Sequence, residues 1–550
     1  MGFSEGELHK RYGVFILERS EGEYRYLFRL FYPGAEAAEL TGDMNMWGKS
    51  EMVRVAPSTF EAEIVSDVPL DGTCYKYRIT KDGEIFVVPD PFSRYLRREE
   101  SVDSIVCTAD EYKWNDLEWC KRRREIGRAL DRPINIYEVD LDCWRRDENS
   151  MRKDGCLGYR ELGGALASYV SDMGYTHLSV GSVMEGDELC KSSIEGYLSP
   201  LSRHGRPDEL KEMIDTLHAS GIAVICDLNV SGEVERFFEN DIEQTAEFYR
   251  NVAAFWIKEF HINGFKINVN GMSEDSTEYV LSIINSYIAN RDCGALLIAG
   301  NVPREIVGRI KNTDAAFDLV LNETLCDSVT ELLKSGSETA KYKYGRLGYS
   351  LMNALGESSV FSISSGRVTE AGLLSQMSGD AEEKFARLKL LIGYMMLHPG
   401  KKLTFMGCEM GETKPFDKKG QLQWYLTEYA AHKWLVEYVK EFNAFYASTP
   451  ALWEVDDSWR GFEWYSAGSC DDRVMSFARS GLDGARILVL LNFSDAEHKD
   501  YRVSAGEGMR KYTAMFSTHS DYIGETLESD LGGDIICTLP PLSILILKPV

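Results

Sequence analysis

GFKINVN, residues 264–270, is a seven-residue alternating stretch. On an extended strand successive side chains point to opposite faces. Phe265, Ile267 and Val269 therefore share one side, and Lys266, Asn268 and Asn270 share the other. An apolar face marks a strand buried against a second layer, and a polar stripe at its end usually marks a site. None of the three polar residues is a general acid or base at neutral pH, although the chain has 87 acidic residues.

Outward from this stretch, from Pro133 to about residue 451, apolar strand-like runs alternate with amphipathic helical ones. The strand candidates are INIYEVDL, THLSVGSV, AVICDLNV, GFKINVN, GALLIAGNV, AFDLVLN, SSVFSIS and KLTFMG. Helix-like pieces such as YRELGGALASYVSDMG and DELKEMIDTLHASG lie between them, the latter closing on a glycine stop. Eight strands with helices between most of them predict an α/β fold, a closed parallel (β/α)8 (TIM) barrel, over a doubly wound sheet. Residues 1–112 read as short strands with frequent turns, a small β-sandwich. Residues 113–132 are charged and weakly periodic, as expected of a linker, and 452–550 return to strand-like text, an all-β domain. The expected organisation is thus sandwich 1–112, linker 113–132, barrel 133–451 and C-terminal β-domain 452–550.

The formal net charge of −26 repels phosphate backbones and anionic bilayers, which excludes nucleic acid and membrane surfaces as expected partners. Twelve cysteines occur without a CxxC pair, the closest spacing being 13 (Cys107/Cys120 and Cys143/Cys156), so neither a zinc knuckle nor a dense disulfide framework is expected. No metal and no cofactor is expected. The N-terminus lacks a secretion-signal pattern and no apolar run reaches spanning length, so a cytoplasmic location is expected.

In a β/α barrel, reactive groups sit where strands end. Those ends offer Asp227 and Asn229, then Lys266, Asn268 and Asn270, then Gly300 and Asn301, then Ser364, Ser365 and Gly366, and finally Glu409. At these residues and their flanks the chain resembles the 1,4-α-glucan (glycogen) branching enzymes of the α-amylase superfamily. The resemblance is carried by LTGDMNMW, YKYRI and DPFSRY in the sandwich, and by PINIYEVDLDCWRR at the barrel opening. EGYLSPLSRHGRPDELKEMIDTLHASGIAVICD, FWIKEFHINGFKI, MLHPGKKLTFMGCEMGE, QLQWYL and LPPLSILILKP continue it nearly end to end.

That resemblance implies a carbohydrate-binding-type sandwich and a retaining two-carboxylate mechanism: a nucleophilic aspartate after the fourth strand, an acid/base glutamate after the fifth and a supporting aspartate after the seventh. It also implies an arginine two residues before the nucleophile and histidines after the third and seventh strands. Here those positions carry Asn268, Gly300, Gly366, Lys266, Gly232 and Ser365, and the tyrosine that floors the sugar site falls on Ser192. The implied reading is a branching-enzyme-like protein without an intact catalytic set. It acts by binding α-glucan such as glycogen or by partnering an active glycogen-metabolism enzyme.

Two alternatives stay open: an active branching enzyme or other α-glucan glycosidase with a non-standard constellation drawn from Asp227, Glu323, Glu370 or Glu409, and an assembly protein without carbohydrate binding. Asp227, Lys266, Asn268, Tyr197 and Trp47 are the candidate glucan-binding residues. Tyr75 and Trp424 are further aromatic candidates; core packing is the other reading for Trp47, packing against neighbouring loops is the other reading for Tyr197 and Trp424, and Asp227 pairing with Lys266 is the structural reading of that aspartate.

Overall fold

The computed structural model describes residues 8–550 except 21, 100, 109–111, 148, 151, 153–154, 186–195, 291–293, 349–354, 467–468, 507–509 and 520–521. Eight parallel strands close a barrel in chain order: Asn135–Glu138, His177–Ser179, Ala223–Ser231, Gly264–Asn270, Leu296–Ala299, Leu319–Asn322, Ser359–Ile363 and Lys401–Phe405. Each coincides with one of the eight runs read from sequence. Parallel strands covered by helices on the outside are buried throughout, which is why these runs are rich in Val, Ile and Leu.

The described residues fall into two compact units. One comprises residues 1–128, 146–168 and 180–317; the other comprises 129–145, 169–179 and 318–550. Within the first, Gly13–Ser20, Glu23–Phe31, Thr59–Ser66 and Val53–Ala56 form one antiparallel sheet, and Ala37–Gly42 and Cys74–Lys81 are central to a second. Tyr26, Phe28, Leu30, Leu40, Phe60, Tyr77 and Ile79 are fully buried in one core, as alternation on facing sheets demands. Residues 113–132 differ from the expected linker, because Leu117–Ile126 is a helix. Its buried residue is Arg123, whose guanidinium donates to the carbonyls of Asn263 and Gly294. A helix whose buried anchor is an arginine shows no apolar stripe.

Within the second unit, Phe462–Ser466, Val474–Ser480, Arg486–Asn492 and Ser543–Pro549 are consecutive strands of a six-stranded sheet. Arg479 on this sheet is fully buried and donates to the carbonyls of Gly461, Leu397 and Leu452 and, at 2.8 Å, to Asp456 Oδ1. Lys401 Nζ lies 2.8 Å from Asp456 Oδ2, so one buried carboxylate is shared by two cations. Asp456 stays below the usual carboxylate range although burial opposes it, because Lys401 and Arg479 hold it charged. No helix among the described residues is long and apolar enough to cross a membrane.

Candidate functional site

The third and fourth barrel strands pair in register, Asp227 opposite Lys266 and Asn229 opposite Asn268. Parallel pairing of equal-facing residues converts two sequence stripes into side-by-side polar pairs. Lys266 Nζ lies 3.1 Å from Asp227 Oδ1, with both side chains mostly buried. Asn268 Nδ2 donates to Asn229 Oδ1 at 3.0 Å and to Asp227 Oδ2 at 3.3 Å. Its Oδ1 accepts the backbone N–H of Asn301 at 2.9 Å. The amide thus uses both donor hydrogens and an acceptor lone pair on protein groups. Asn270 stands exposed beyond this network.

Two glycines close the space around it. A Cβ at Gly300 would stand 2.4 Å from Asn268 Oδ1 and 3.1 Å from both the Ile267 carbonyl and Lys266 Cγ. A Cβ at Gly232 would stand 2.1 Å from the Gly271 carbonyl oxygen. Neither seat admits a side chain without movement of neighbouring atoms.

In the other unit, the seventh strand runs into a 3-10 turn at Ser365–Val368. Gly366 is exposed there, with only Ser364 Oγ near a would-be Cβ, at 3.7 Å. Ser364 donates to Glu323 Oε1 at 2.7 Å, and Arg367 pairs with both Glu323 and Asp327. Glu409 is fully buried and accepts from the hydroxyls of Tyr137 (2.7 Å) and Tyr169 (2.8 Å). Burial raises its pKa against the opposing pull of those two hydroxyls. Glu370 is exposed. Each of Glu323 and Glu409 is therefore committed to its own partners.

Residues 11–93 match the model of carbohydrate-binding module 48 (isoamylase N-terminal domain). The 1,4-α-glucan branching enzyme GlgB of Oleidesulfovibrio alaskensis is 29% identical, the match covering 96% of this chain and 94% of that one. The GlgB of Aquifex aeolicus is also 29% identical, over 99% and 97%. Nearly end to end, the chain is similar to 1,4-α-glucan branching enzymes. Solved α-amylase-type structures share its fold. A pullulanase from Anoxybacillus sp. complexed with maltotetraose superposes with a TM-score of 0.71 at 15% identity, covering 98% of this chain and 87% of that one. A putative α-amylase from Salmonella typhimurium gives 0.70 at 16%, covering 98% and 99%.

Against the branching-enzyme pattern, the geometry brings together Asp227, Lys266, Asn268 and Gly300 and corrects two aromatic candidates. Tyr197 is not a sugar-facing ring. It is fully buried, its hydroxyl donating to the Asn229 carbonyl at 3.1 Å and lying 3.2 Å from the Tyr249 hydroxyl. Tyr75 is likewise buried, donating to Asp90 at 2.7 Å. Trp424 donates to the Trp144 carbonyl and is covered by the Arg145 guanidinium 4.4 Å above its ring.

Trp47 is the most exposed of these aromatics, at 47%. Its backbone is left-handed (φ 62°), and Nε1 donates to Asp43 Oδ1 at 2.9 Å, which fixes the indole on the surface. Ser192 lies outside the described residues. Sequence reading found Asn229 and Asn301 at strand ends but gave them no partner; the in-register pairing of strands three and four was the available signal.

Proposed function

We propose that this chain is a catalytically silent, branching-enzyme-like protein of α-glucan metabolism that works by holding glucan. The observation that carries this reading is the closure of the lost groups' seats. Asn268 Oδ1 and the Gly271 carbonyl occupy the space where an acid/base at 300 and a sugar-binding side chain at 232 would begin. An amide is a poor nucleophile, and a glycine has no proton to donate. Removing one essential member of a catalytic set costs ~10⁴–10⁶ in rate, equivalent to ~5–8 kcal/mol of barrier. The ion pair of Asp227 with Lys266 supports a structural role for that aspartate.

Glucan holding is assigned to the sandwich, where Trp47 presents a fixed aromatic face to solvent for stacking on sugar C–H groups. The division into 1–112, 133–451 and 452–550, with 113–132 between, belongs to the same reading. Purified protein incubated with amylose should form no α-1,6 branches. It should be retarded in glycogen-containing native gels, and Trp47→Ala should relieve the retardation several-fold without altering the melting temperature. Branch formation at an ordinary enzymatic rate would refute silence, and migration unaffected by glycogen would refute glucan holding in favour of an assembly role.

A further inference from the structure

A second cluster of functional groups lies at the N-terminal ends of the third and fourth barrel strands, the end opposite Asn268. His218 closes the helix Pro207–Ala219 that leads into the third strand, and His261 precedes the fourth. Both meet the segment 112–127. Asp116 Oδ2 lies 2.8 Å from His218 Nδ1 and 2.8 Å from His261 Nδ1. Cys120, one helical turn after Asp116, brings its Sγ within 3.5 Å of Asp116 Oδ2 and 3.8 Å of His261 Nδ1.

Asp116, Cys120, His261 and Asn263 line a cavity of about 750 Å³ together with Trp114, Arg124 and Lys258. Trp114 stacks on the His261 ring at 3.9 Å. His261 itself has a left-handed backbone, at φ 53°.

Three donor atoms of different chemistry converge on one point. A cysteine–histidine–aspartate triad needs the thiol and the carboxylate on opposite ring nitrogens. Here both face Nδ1 of His261, an arrangement that suits ligation and not proton relay.

We propose that Asp116, Cys120 and His261 form a mononuclear site for a divalent transition-metal ion of the zinc class, its fourth position open to the cavity. Metal–ligand lengths of about 2.0–2.3 Å place tetrahedral donors roughly 3.3–3.6 Å apart. The two contacts to sulfur already lie near that range, and the Asp116–His261 hydrogen bond opens by about half an ångström. Thiolate, carboxylate and neutral imidazole together balance a 2+ ion. His218 has acceptors at both nitrogens, Asp116 Oδ2 and Asn263 Oδ1 at 2.8 Å each, so it orients the carboxylate from behind and is not a ligand. The segment before Asp116 is pinned independently by Tyr112 and Asn115, which both donate to Asp215. Binding moves the His261 proton to Nε2 and releases the Cys120 proton, one proton net per ion. At this end of a barrel the ion fastens the 112–127 segment to the strands, a stabilising role.

The test uses tag-free, chelator-stripped full-length protein titrated with Co(II), then with Zn(II). The expected result is one equivalent bound, with a sulfur-to-cobalt charge-transfer band in the near ultraviolet that one equivalent of Zn(II) bleaches. The band should be lost in Cys120→Ser and kept in Cys470→Ser, which alters an exposed cysteine elsewhere. His261→Gln should weaken binding at least tenfold, and Zn(II) should raise the melting temperature of the parent but not of Cys120→Ser. Circular dichroism confirms that each variant is folded. Absence of a saturable one-equivalent band, or a band that survives Cys120→Ser, would overturn the assignment.

Discussion

Gly300→Ala is the smallest change that probes the repacked barrel mouth. The added methyl would sit 2.4 Å from Asn268 Oδ1, well inside contact distance. A free side-chain end would swing away at little cost, but this amide is held at both ends. Nδ2 bonds Asn229 and Asp227, and Oδ1 takes the Asn301 N–H. Moving it surrenders at least the Asn301 bond, whose net worth is about 0.5–1.5 kcal/mol. The 3.1 Å approaches to the Ile267 carbonyl and Lys266 Cγ remain. Overpacking of this kind costs about 1–3 kcal/mol, so the total should be about 2–4 kcal/mol.

The discriminating measurement is a double-mutant cycle with Asn268→Ala, read from urea unfolding of the parent, both single variants and the pair. Asn268→Ala removes the obstructing oxygen, so the Gly300→Ala penalty in that background should fall to about 1 kcal/mol, leaving a coupling of about 1–3 kcal/mol. Equal penalties in both backgrounds, or a Gly300→Ala variant as stable as the parent, would refute the idea that the amide fills the seat. By the same crowding, Gly300→Glu should displace the Asn268 amide.

Two further outcomes are expected. Glu409→Leu should destabilise the protein by about 2–4 kcal/mol, because the Tyr137 and Tyr169 hydroxyls lose their shared acceptor inside the core, whereas Glu409→Gln should cost much less; comparable melting of the two would contradict a purely structural role. Asp90, fully buried with its pKa raised to about 6, favours its protonated form when folded, so the stability it supports is present below about pH 4 and fades as pH rises through 6. The shift from 3.8 corresponds to about 3 kcal/mol at 1.36 kcal/mol per unit. Asp90→Asn should flatten that part of the pH–stability curve, and an unchanged slope would remove Asp90 as its source.

The barrel was legible because burial on both faces leaves a signature of Val, Ile and Leu that does not depend on the polar groups at the strand ends. The placing of Asn268 and Gly300 at the ends of the fourth and fifth strands was legible too, since the strand runs there are unbroken. What could not be read is direction and distance. Tyr197 lies in a retained motif, yet nothing in its neighbours says that its hydroxyl turns inward to the Asn229 carbonyl. The helix Leu117–Ile126 hides because Arg123, a charged residue, is its buried anchor. Asp116 and His261 lie 145 positions apart, and only the closing of strands onto their preceding helices brings them together.

The grip of Arg479 bears on how this polypeptide can be handled in pieces. Its guanidinium reaches back to Leu397, at the end of a barrel helix, as well as to Leu452 and Asp456. Cutting near residue 452 would take the Leu397 and Leu452 carbonyls from a buried cation on one fragment and leave the other with Lys401 without Asp456. The final hundred residues are therefore not a detachable cassette, and expression of either fragment alone should yield insoluble material.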